Sequence, residues 1–192
     1  MVSVTSPVYH KNPSPLDFYT AFRTVLDHED AKAKILACWQ DITKYDSVAY
    51  TRVMREHITA VAHELGLQSW NEYYTIDVIM YHEKDMKWFR SNVTYAKYIA
   101  VAVEHENQYG CAAEEMNKLQ LINTPLAVLI TYPPKSMARE TLAKYETIIQ
   151  AADILDNAAT IRRQLTIFGY APNEWEAFVY EATEFVPLTQ LG

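Results

Sequence analysis

The chain has 192 residues, a formal net charge of −7 and only four glycines, which are widely separated. A domain typically contains roughly 50–250 residues, so we expect a single domain over residues 1–192. The scattered glycines exclude a Gly-rich phosphate loop and a dinucleotide-binding turn. The acidic balance excludes a general attraction for nucleic acid, so any phosphate contact must come from local groups.

The first part of the chain is predicted to be helical. Residues 1–14 contain two prolines and indicate an irregular arm before a first helix that opens at Pro15. Helix-forming composition continues over residues 31–45, and this arm and helical extension together occupy residues 1–46. A third helix is expected to begin at Asp46 or Ser47 and to end at Gly66, which is typical of the residue after a helix.

The rest of the chain, residues 47–192, is predicted to form an α/β core. Runs rich in β-branched and aromatic residues indicate strands, and residues 82–96 are predicted to be a polar connection. The strand at 126–132 is almost continuously apolar, which favours a central position covered on both faces. The whole order predicts an α/β fold with a mixed sheet; its strands are expected at 73–81, 98–106, 126–132, 164–170 and 177–184, and its helices at 111–122 and 137–157.

Three carboxylates interrupt these apolar strands. Asp77 lies in the first strand, and Glu104 and Glu106 lie in the second. Burying a carboxylate is costly unless it is paired or bound to a cation. Side chains alternate across a strand, so Glu104 and Glu106 share one face and His105 faces the other. Acids on adjacent strands predict an oxygen-rich site suited to Mg²⁺ or Mn²⁺; the simpler alternative is that Glu104 and Glu106 are solvated charges at a strand end.

These residues resemble a known family. The segments Val-Glu-His-Glu-Asn at 103–107, Glu-Glu-Met-Asn-Lys-Leu at 114–119 and Pro-Leu-Ala-Val-Leu-Ile-Thr-Tyr at 125–132 look like the core of the PD-(D/E)XK nuclease superfamily. Ile-Asp-Val at 76–78 resembles its first acidic position. The resemblance spans about residues 50–132. It implies a restriction-endonuclease-like core of αβββαβ type, which binds Mg²⁺ and hydrolyses phosphodiesters.

The resemblance also assigns roles to individual residues. Asp77 and Glu104 match the family's metal-binding Asp and Glu, while Glu106 stands where the family has a lysine. Some members carry a glutamate there, and in others the lysine has moved to the following helix, where this chain has Lys118. The candidate catalytic residues are therefore Asp77, Glu104, Glu106 and Lys118, with the three acids as metal ligands. A plain ion pair of Lys118 with Glu114 or Glu115 is the alternative explanation for the lysine.

Two classes of function follow from this pattern. The first is a metal-dependent nuclease acting on DNA or RNA, with a homodimer as one form it could take. The second is a catalytically inactive domain of the same fold that binds a protein partner or a small anion; an antitoxin- or immunity-type protein is a third class, supported by charge alone. No apolar run approaches the roughly 20 residues that cross a membrane, and the two cysteines lack metal-ligand spacing. We therefore expect a cytoplasmic protein with no membrane contact.

Overall fold

A computed structural model describes residues 11–39, 47–90, 93–152 and 163–190. Helices cover both faces of a seven-stranded sheet within these ranges. The helices are α1 (Pro15–Asp27), α2 (Glu29–Trp39), α3 (Ser47–Glu64), α4 (Ala112–Gln120) and α5 (Ala138–Ala152). The strands are β1 (Gln68–Tyr73), β2 (Ile76–Tyr81), β3 (Met86–Arg90), β4 (Val93–Ala96), β5 (Val101–Glu106), β6 (Leu126–Thr131), β7 (Arg163–Ala171), β8 (Glu174–Glu181) and β9 (Glu184–Pro187).

The large sheet has the strand order β1-β2-β5-β6-β7-β8-β9, while β3 and β4 form a separate two-stranded sheet. The three central strands β5, β6 and β7 run parallel, and antiparallel strands flank them on each side. Parallel neighbours need a crossover, and α4 and α5 lie in the connections between these strands. Every residue of β6 is buried, as predicted for a central strand. The α/β class with a mixed sheet is thus confirmed, and most of its strand pairings are antiparallel.

Helices α1, α2 and α3 pack on one face of the sheet, and α4 and α5 pack on the other. Alternation along β5 divides its apolar residues between the two layers. Val101 and Val103 belong to the core under α1–α3, whereas Ala102 belongs to the core under α4 and α5. By the same alternation Glu104 and Glu106 are on the α4–α5 face.

Local signals set the helix ends. Ser14 caps α1, since its side chain accepts a hydrogen bond from the Asp17 backbone N–H while the Asp17 carboxylate accepts one from Ser14. Helix α3 gives way to Gly66, whose φ of 67° suits a residue without a β-carbon. Leu67 then donates its N–H to the Ala62 carbonyl, which closes the helix end.

Several predicted segments lie outside the described residues. They are residues 1–10 of the N-terminal arm, residues 40–46, which hold the end of the second predicted helix and the Asp46 cap, and residues 153–157 at the end of the helix predicted at 137–157.

The strand predicted at 73–81 corresponds to β2, which begins only at Ile76, while Tyr73 ends β1, a strand that was not predicted. Strand β1 is largely polar, as an edge strand can be, and therefore lacks the apolar pattern that reveals a strand. Its turn contains no glycine or proline. Instead Tyr74 adopts a φ of 56°, an uncommon conformation for a residue with a side chain.

Other boundaries also differ from the predictions. The polar connection at 82–96 contains the hairpin β3–β4, and the strand predicted from 98 begins at Val101. The strand predicted at 177–184 is two strands, β8 and β9, which are separated by a turn at residues 182–183. Ala182 has a φ of 55°, so this turn too carries no glycine to announce it.

Candidate functional site

The candidate site lies where β2 and β5 stop pairing. The two strands are in register at Val78↔Val103, Ile79↔Ala102 and Met80↔Val101. Beyond Val78, side-chain carboxylates rather than strand carbonyls accept hydrogen bonds from the backbone N–H groups. Asp77 Oδ2 accepts the backbone N–H of His105 at 3.0 Å, and Glu104 Oε2 accepts that of Asp77 at 3.4 Å. Buried N–H groups need a partner, so these side chains complete the sheet at the point where its ladder ends.

Glu104 is the most deeply buried of the acids, with 1% of its surface exposed. Burial raises the pKa of its carboxyl group to about 8, and the negative charges of Asp77 and Glu115 add to this effect. Lys118 opposes the rise only in part. Burial is therefore the main reason that the ionised form of Glu104 is disfavoured, and an added cation beside this carboxyl group would favour ionisation.

Lys118 reaches Glu104 from α4. Its Nζ lies 3.1 Å from Glu104 Oε1, donates to the Thr75 carbonyl at 3.0 Å, and forms an ion pair with Glu115. Burial lowers the pKa of this ammonium group, but the contacts with Glu115 and Glu104 outweigh it and raise the pKa above its ordinary value. Lys118 thus stays charged and joins the buried acid as well as the acid on its own helix.

Arg55 reaches Asp77 from α3, on the other side of the sheet. Its Nη2 lies 3.3 Å from Asp77 Oδ1, and its Nη1 lies 2.6 Å from Glu72 Oε1. We name the set Arg55, Asp77, Glu104 and Lys118 the acidic junction. Arg55 cannot be recognised from the sequence, because nothing in its spacing sets it apart from other charged residues of α3. The positive φ of Glu72 (55°) is also not indicated by the sequence.

Glu106 stands apart from the acidic junction. Its carboxylate accepts the backbone N–H of Gln108 at 2.6 Å. Burial raises the pKa of the Tyr145 phenol, and the charge of Glu106 adds to that rise, so Glu106 lies toward α5. Among the residues that the structure describes, no group of three or more histidine, cysteine or acidic side chains is arranged to hold a metal ion. The side chains thus bring Asp77, Glu104 and Lys118 together, and the three-carboxylate metal site stays a prediction.

His105 faces away from the acids, as the alternation of β5 predicts. Its Nε2 hydrogen-bonds with the Tyr132 hydroxyl at 2.8 Å, and Tyr50 donates to the same hydroxyl at 3.0 Å. Burial lowers the pKa of His105 to about 4, so the ring is neutral near pH 7. The histidine therefore serves the site through its backbone N–H, which holds Asp77 in place.

An open cleft of about 540 Å³ lies beside the acidic junction. One wall belongs to α3 and the other to the loop after β5. The Asn107 amide joins the two walls by donating to the Thr51 hydroxyl at 2.6 Å. The lining residues are Val48, Thr51, Arg52, Arg55, Glu106, Asn107 and Gln108. Arg55 is therefore shared by the cleft and the junction, and Glu106 lies on the cleft wall.

Comparison with known proteins adds no family to this picture. Neither the protein-family models nor the curated proteins that were searched match the chain. Within the described ranges, no helix combines the length and the apolar character that crossing a membrane requires.

Proposed function

We propose that the protein is a metal-dependent phosphodiesterase that hydrolyses DNA or RNA at the acidic junction. The observation that carries the proposal is the burial of Glu104 beside Asp77 where β2 and β5 part. Accepting two backbone N–H groups explains a polar side chain at each position, but burying an acid as deeply as Glu104 beside a second acid is costly. Retention of costly charge is typical of functional sites.

The topology around the junction supports the proposal. The elements α3, β1, β2, β5, α4 and β6 follow in the order expected of an αβββαβ core, once the hairpin β3–β4 is set aside as an insertion. Strands β2 and β5 pair antiparallel, and β5 and β6 pair parallel across α4. In the PD-(D/E)XK resemblance, the strands equivalent to β2 and β5 carry the metal-binding Asp and Glu.

The residues present fit a hard divalent cation. Mg²⁺ in proteins is held through one or two carboxylates and keeps several waters, so Asp77 and Glu104 suffice as protein ligands. Burial and the acidic neighbours disfavour the ionised form of Glu104, and a bound cation would stabilise that form. Glu106 projects from the same face of β5 and remains the proposed third ligand. Bound there, Mg²⁺ or Mn²⁺ would supply an acidified water and neutralise charge on the phosphate.

The chain's own groups supply the rest of the chemistry. The Lys118 ammonium, 3.1 Å from Glu104, brings a fixed positive charge to the site and orients that carboxylate. Glu106, which lies on the cleft wall, would accept a proton from an attacking water. The backbone N–H of His105 fixes the Asp77 carboxylate.

Cleavage assays with Mg²⁺ and with Mn²⁺ test this function. Single-stranded DNA, duplex DNA and RNA are incubated with the wild-type protein and with Asp77→Asn, Glu104→Gln and Lys118→Met. We expect a loss of at least about a hundredfold for each variant. Glu174→Gln, which changes an exposed carboxylate on β8, is the matched control and should cleave like the wild type. Cleavage that survives both Asp77→Asn and Glu104→Gln would contradict the proposal.

A second candidate rests on a different observation. Asp77 and Glu104 each have a cationic partner already, in Arg55 and Lys118. Such internal pairing also suits a non-catalytic domain of this fold whose cleft binds a protein or a small anion. That candidate predicts binding of an anion such as inorganic phosphate without dependence on divalent metal, and no cleavage of any nucleic acid. A homodimer stays a prediction for either function.

A further inference from the structure

Arg55 neutralises two acids that face each other. Glu72 and Asp77 stand opposite across the β1–β2 hairpin, between the paired residues Asn71↔Val78 and Tyr73↔Ile76. Like charges opposite each other destabilise a strand pair. The guanidinium group lies between them, with Nη1 on Glu72 at 2.6 Å and Nη2 on Asp77 at 3.3 Å. The contact with Glu72 is therefore the tighter of the two.

The two contacts use different parts of the guanidinium group. Arginine offers five N–H donors in a planar fork. The Nη1 end is held by Glu72, while the edge made by Nη2 and Nε makes only the longer bond to Asp77. Nε is buried and has no hydrogen-bond partner among the described residues. This edge can bind a phosphate or carboxylate bidentately, and here its Nε donor is unused.

Asp77 therefore has two prospective cations. Arg55 occupies its Oδ1, while the proposed function places a divalent metal on the same carboxylate. A metal that draws Asp77 away competes with one ion pair of Arg55 but leaves the other intact, because Glu72 is not a proposed ligand. The arginine would then keep its place beside the cleft, with one edge released.

We propose that divalent metal and Arg55 compete for Asp77, and that metal binding releases the Arg55 guanidinium edge to bind a phosphate of the substrate in the adjacent cleft. This inference rests on the proposed function, since it takes Asp77 as a metal ligand. Arg55 thereby makes binding of the nucleic-acid backbone depend on metal. Glu72 is a positioning residue that has an uncommon backbone conformation and accepts a hydrogen bond from Arg55.

The test measures two affinities in Arg55→Gln. Mn²⁺ binding is followed by electron paramagnetic resonance, and binding of a short fluorescent single-stranded DNA is followed by anisotropy, with Ca²⁺ or with EDTA. Loss of the competing ion pair should tighten Mn²⁺ binding about threefold to tenfold. DNA binding should weaken about tenfold with Ca²⁺, because a bidentate phosphate contact is lost. It should change little in EDTA, where Asp77 holds the same edge.

Two control variants separate the loss of the Arg55–Asp77 contact from the loss of a positive charge alone. Arg52→Gln removes a positive charge from the same cleft, whereas the 3.3 Å contact with Asp77 is made by Arg55. It should weaken DNA binding with and without metal and leave Mn²⁺ affinity near the wild-type value. Arg139→Gln, on α5, should change neither affinity.

Glu72→Gln keeps the inference testable if Arg55→Gln does not fold, which circular dichroism would show. Its side chain is largely exposed. Loss of the anchor should weaken DNA binding with Ca²⁺ without tightening Mn²⁺ binding. A rise in Mn²⁺ affinity in Glu72→Gln would count against the assigned roles.

The outcomes distinguish a failure of the metal–Arg55 competition from a failure of the proposed function. Unchanged Mn²⁺ affinity in Arg55→Gln, or a DNA-binding loss that is equal with Ca²⁺ and with EDTA, would overturn the competition while leaving the proposed function standing. An absence of Mn²⁺ binding in the wild type and all variants would overturn the proposed function, and the competition with it.

Discussion

The β2–β5 junction and the β7–β8 hairpin use the same kinds of charged residue in opposite ways. Strands β7 and β8 stay paired from Leu165↔Val179 to Gly169↔Trp175, and the charges of this hairpin lie outside the core. Arg163 pairs with Glu181 there, with 52% and 35% of their side chains exposed. At the β2–β5 junction the pairing stops after three residue pairs, and Glu104, only 1% exposed, replaces a strand partner.

This contrast shows what burial adds to an ion pair. Exposed pairs contribute little to stability, because water solvates either partner alone. A buried acid has no such alternative and depends on the groups around it. We therefore expect aromatic side-chain packing to stabilise the β7–β8 hairpin. We expect the stability of the β2–β5 junction to depend on the charge of its residues.

The largest effect is expected from Gly169→Ala in the hairpin. An added β-carbon would lie 2.7 Å from the Tyr132 ring and 2.8 Å from the Trp175 ring, and both rings belong to the packed core layer. The expected cost is about 3 kcal/mol of unfolding free energy, measured in urea. Gly110→Ala is the control, since its β-carbon meets nothing within 4 Å. Equal stability of the two variants would show that ring packing does not hold the hairpin.

Removing Lys118 from the acidic junction should have the next largest effect. Lys118→Met leaves Glu104 buried without its ammonium partner, and at a pH well above 8, where Glu104 is ionised, we expect a cost of about 2 kcal/mol. The same substitution in a Glu104→Gln background should cost less by about 1 kcal/mol or more. Urea unfolding of the four proteins gives this coupling energy, and additive costs would mean that the two side chains do not interact.

The junction should also make stability depend on pH. The pKa of Glu104 is raised in the folded state from 4.5 to about 8, so between these pH values the folded protein binds more protons than the unfolded chain and loses stability as pH rises, and the loss levels off above pH 8. Between pH 7 and 9 the expected loss is about 1 kcal/mol. His105 stays neutral throughout this window, since its pKa is near 4.

Unfolding in metal-free buffer at several pH values checks this slope. Glu104→Gln should flatten it, because the amide does not titrate. Glu181→Gln, in the hairpin, should keep the wild-type slope. A slope that is the same in all three proteins would assign the pH dependence to other groups.

The smallest effect is expected from the exposed pair of the hairpin. Arg163→Ala should change the unfolding free energy by at most about 0.5 kcal/mol, and a cycle with Glu181→Ala should give a coupling below about 1 kcal/mol. Coupling as large as that of Lys118 with Glu104 would erase the distinction between the two regions.

Much of this arrangement could be predicted from the sequence. The spacing of apolar residues located α1 and α3, and the wholly apolar run located β6 at the centre of the sheet. Asp77 and Glu104 were recognised because charge inside an apolar strand is conspicuous. Their strands do pair, and Lys118 does contact Glu104 as well as Glu115.

The remaining features depend on contacts that no local pattern records. Strand β1 is polar because it lies at a sheet edge, and Tyr74 and Ala182 turn the chain without glycine. Arg55 crosses from α3 to a strand 22 positions later, which only the packed fold reveals. Glu106 shares the face of Glu104, yet its carboxylate bonds to the backbone of the next loop, a choice that strand alternation alone does not determine.

The most direct test of the account is a calorimetric titration of the protein with Mn²⁺ and Mg²⁺. The wild type and a double variant, Asp77→Ala with Glu104→Ala, are compared with Glu181→Gln as the hairpin control. The account predicts saturable metal binding by the wild type and the control, and none by the double variant. Equal heats in all three proteins, or no binding by the wild type at millimolar metal, would contradict a metal site at the junction.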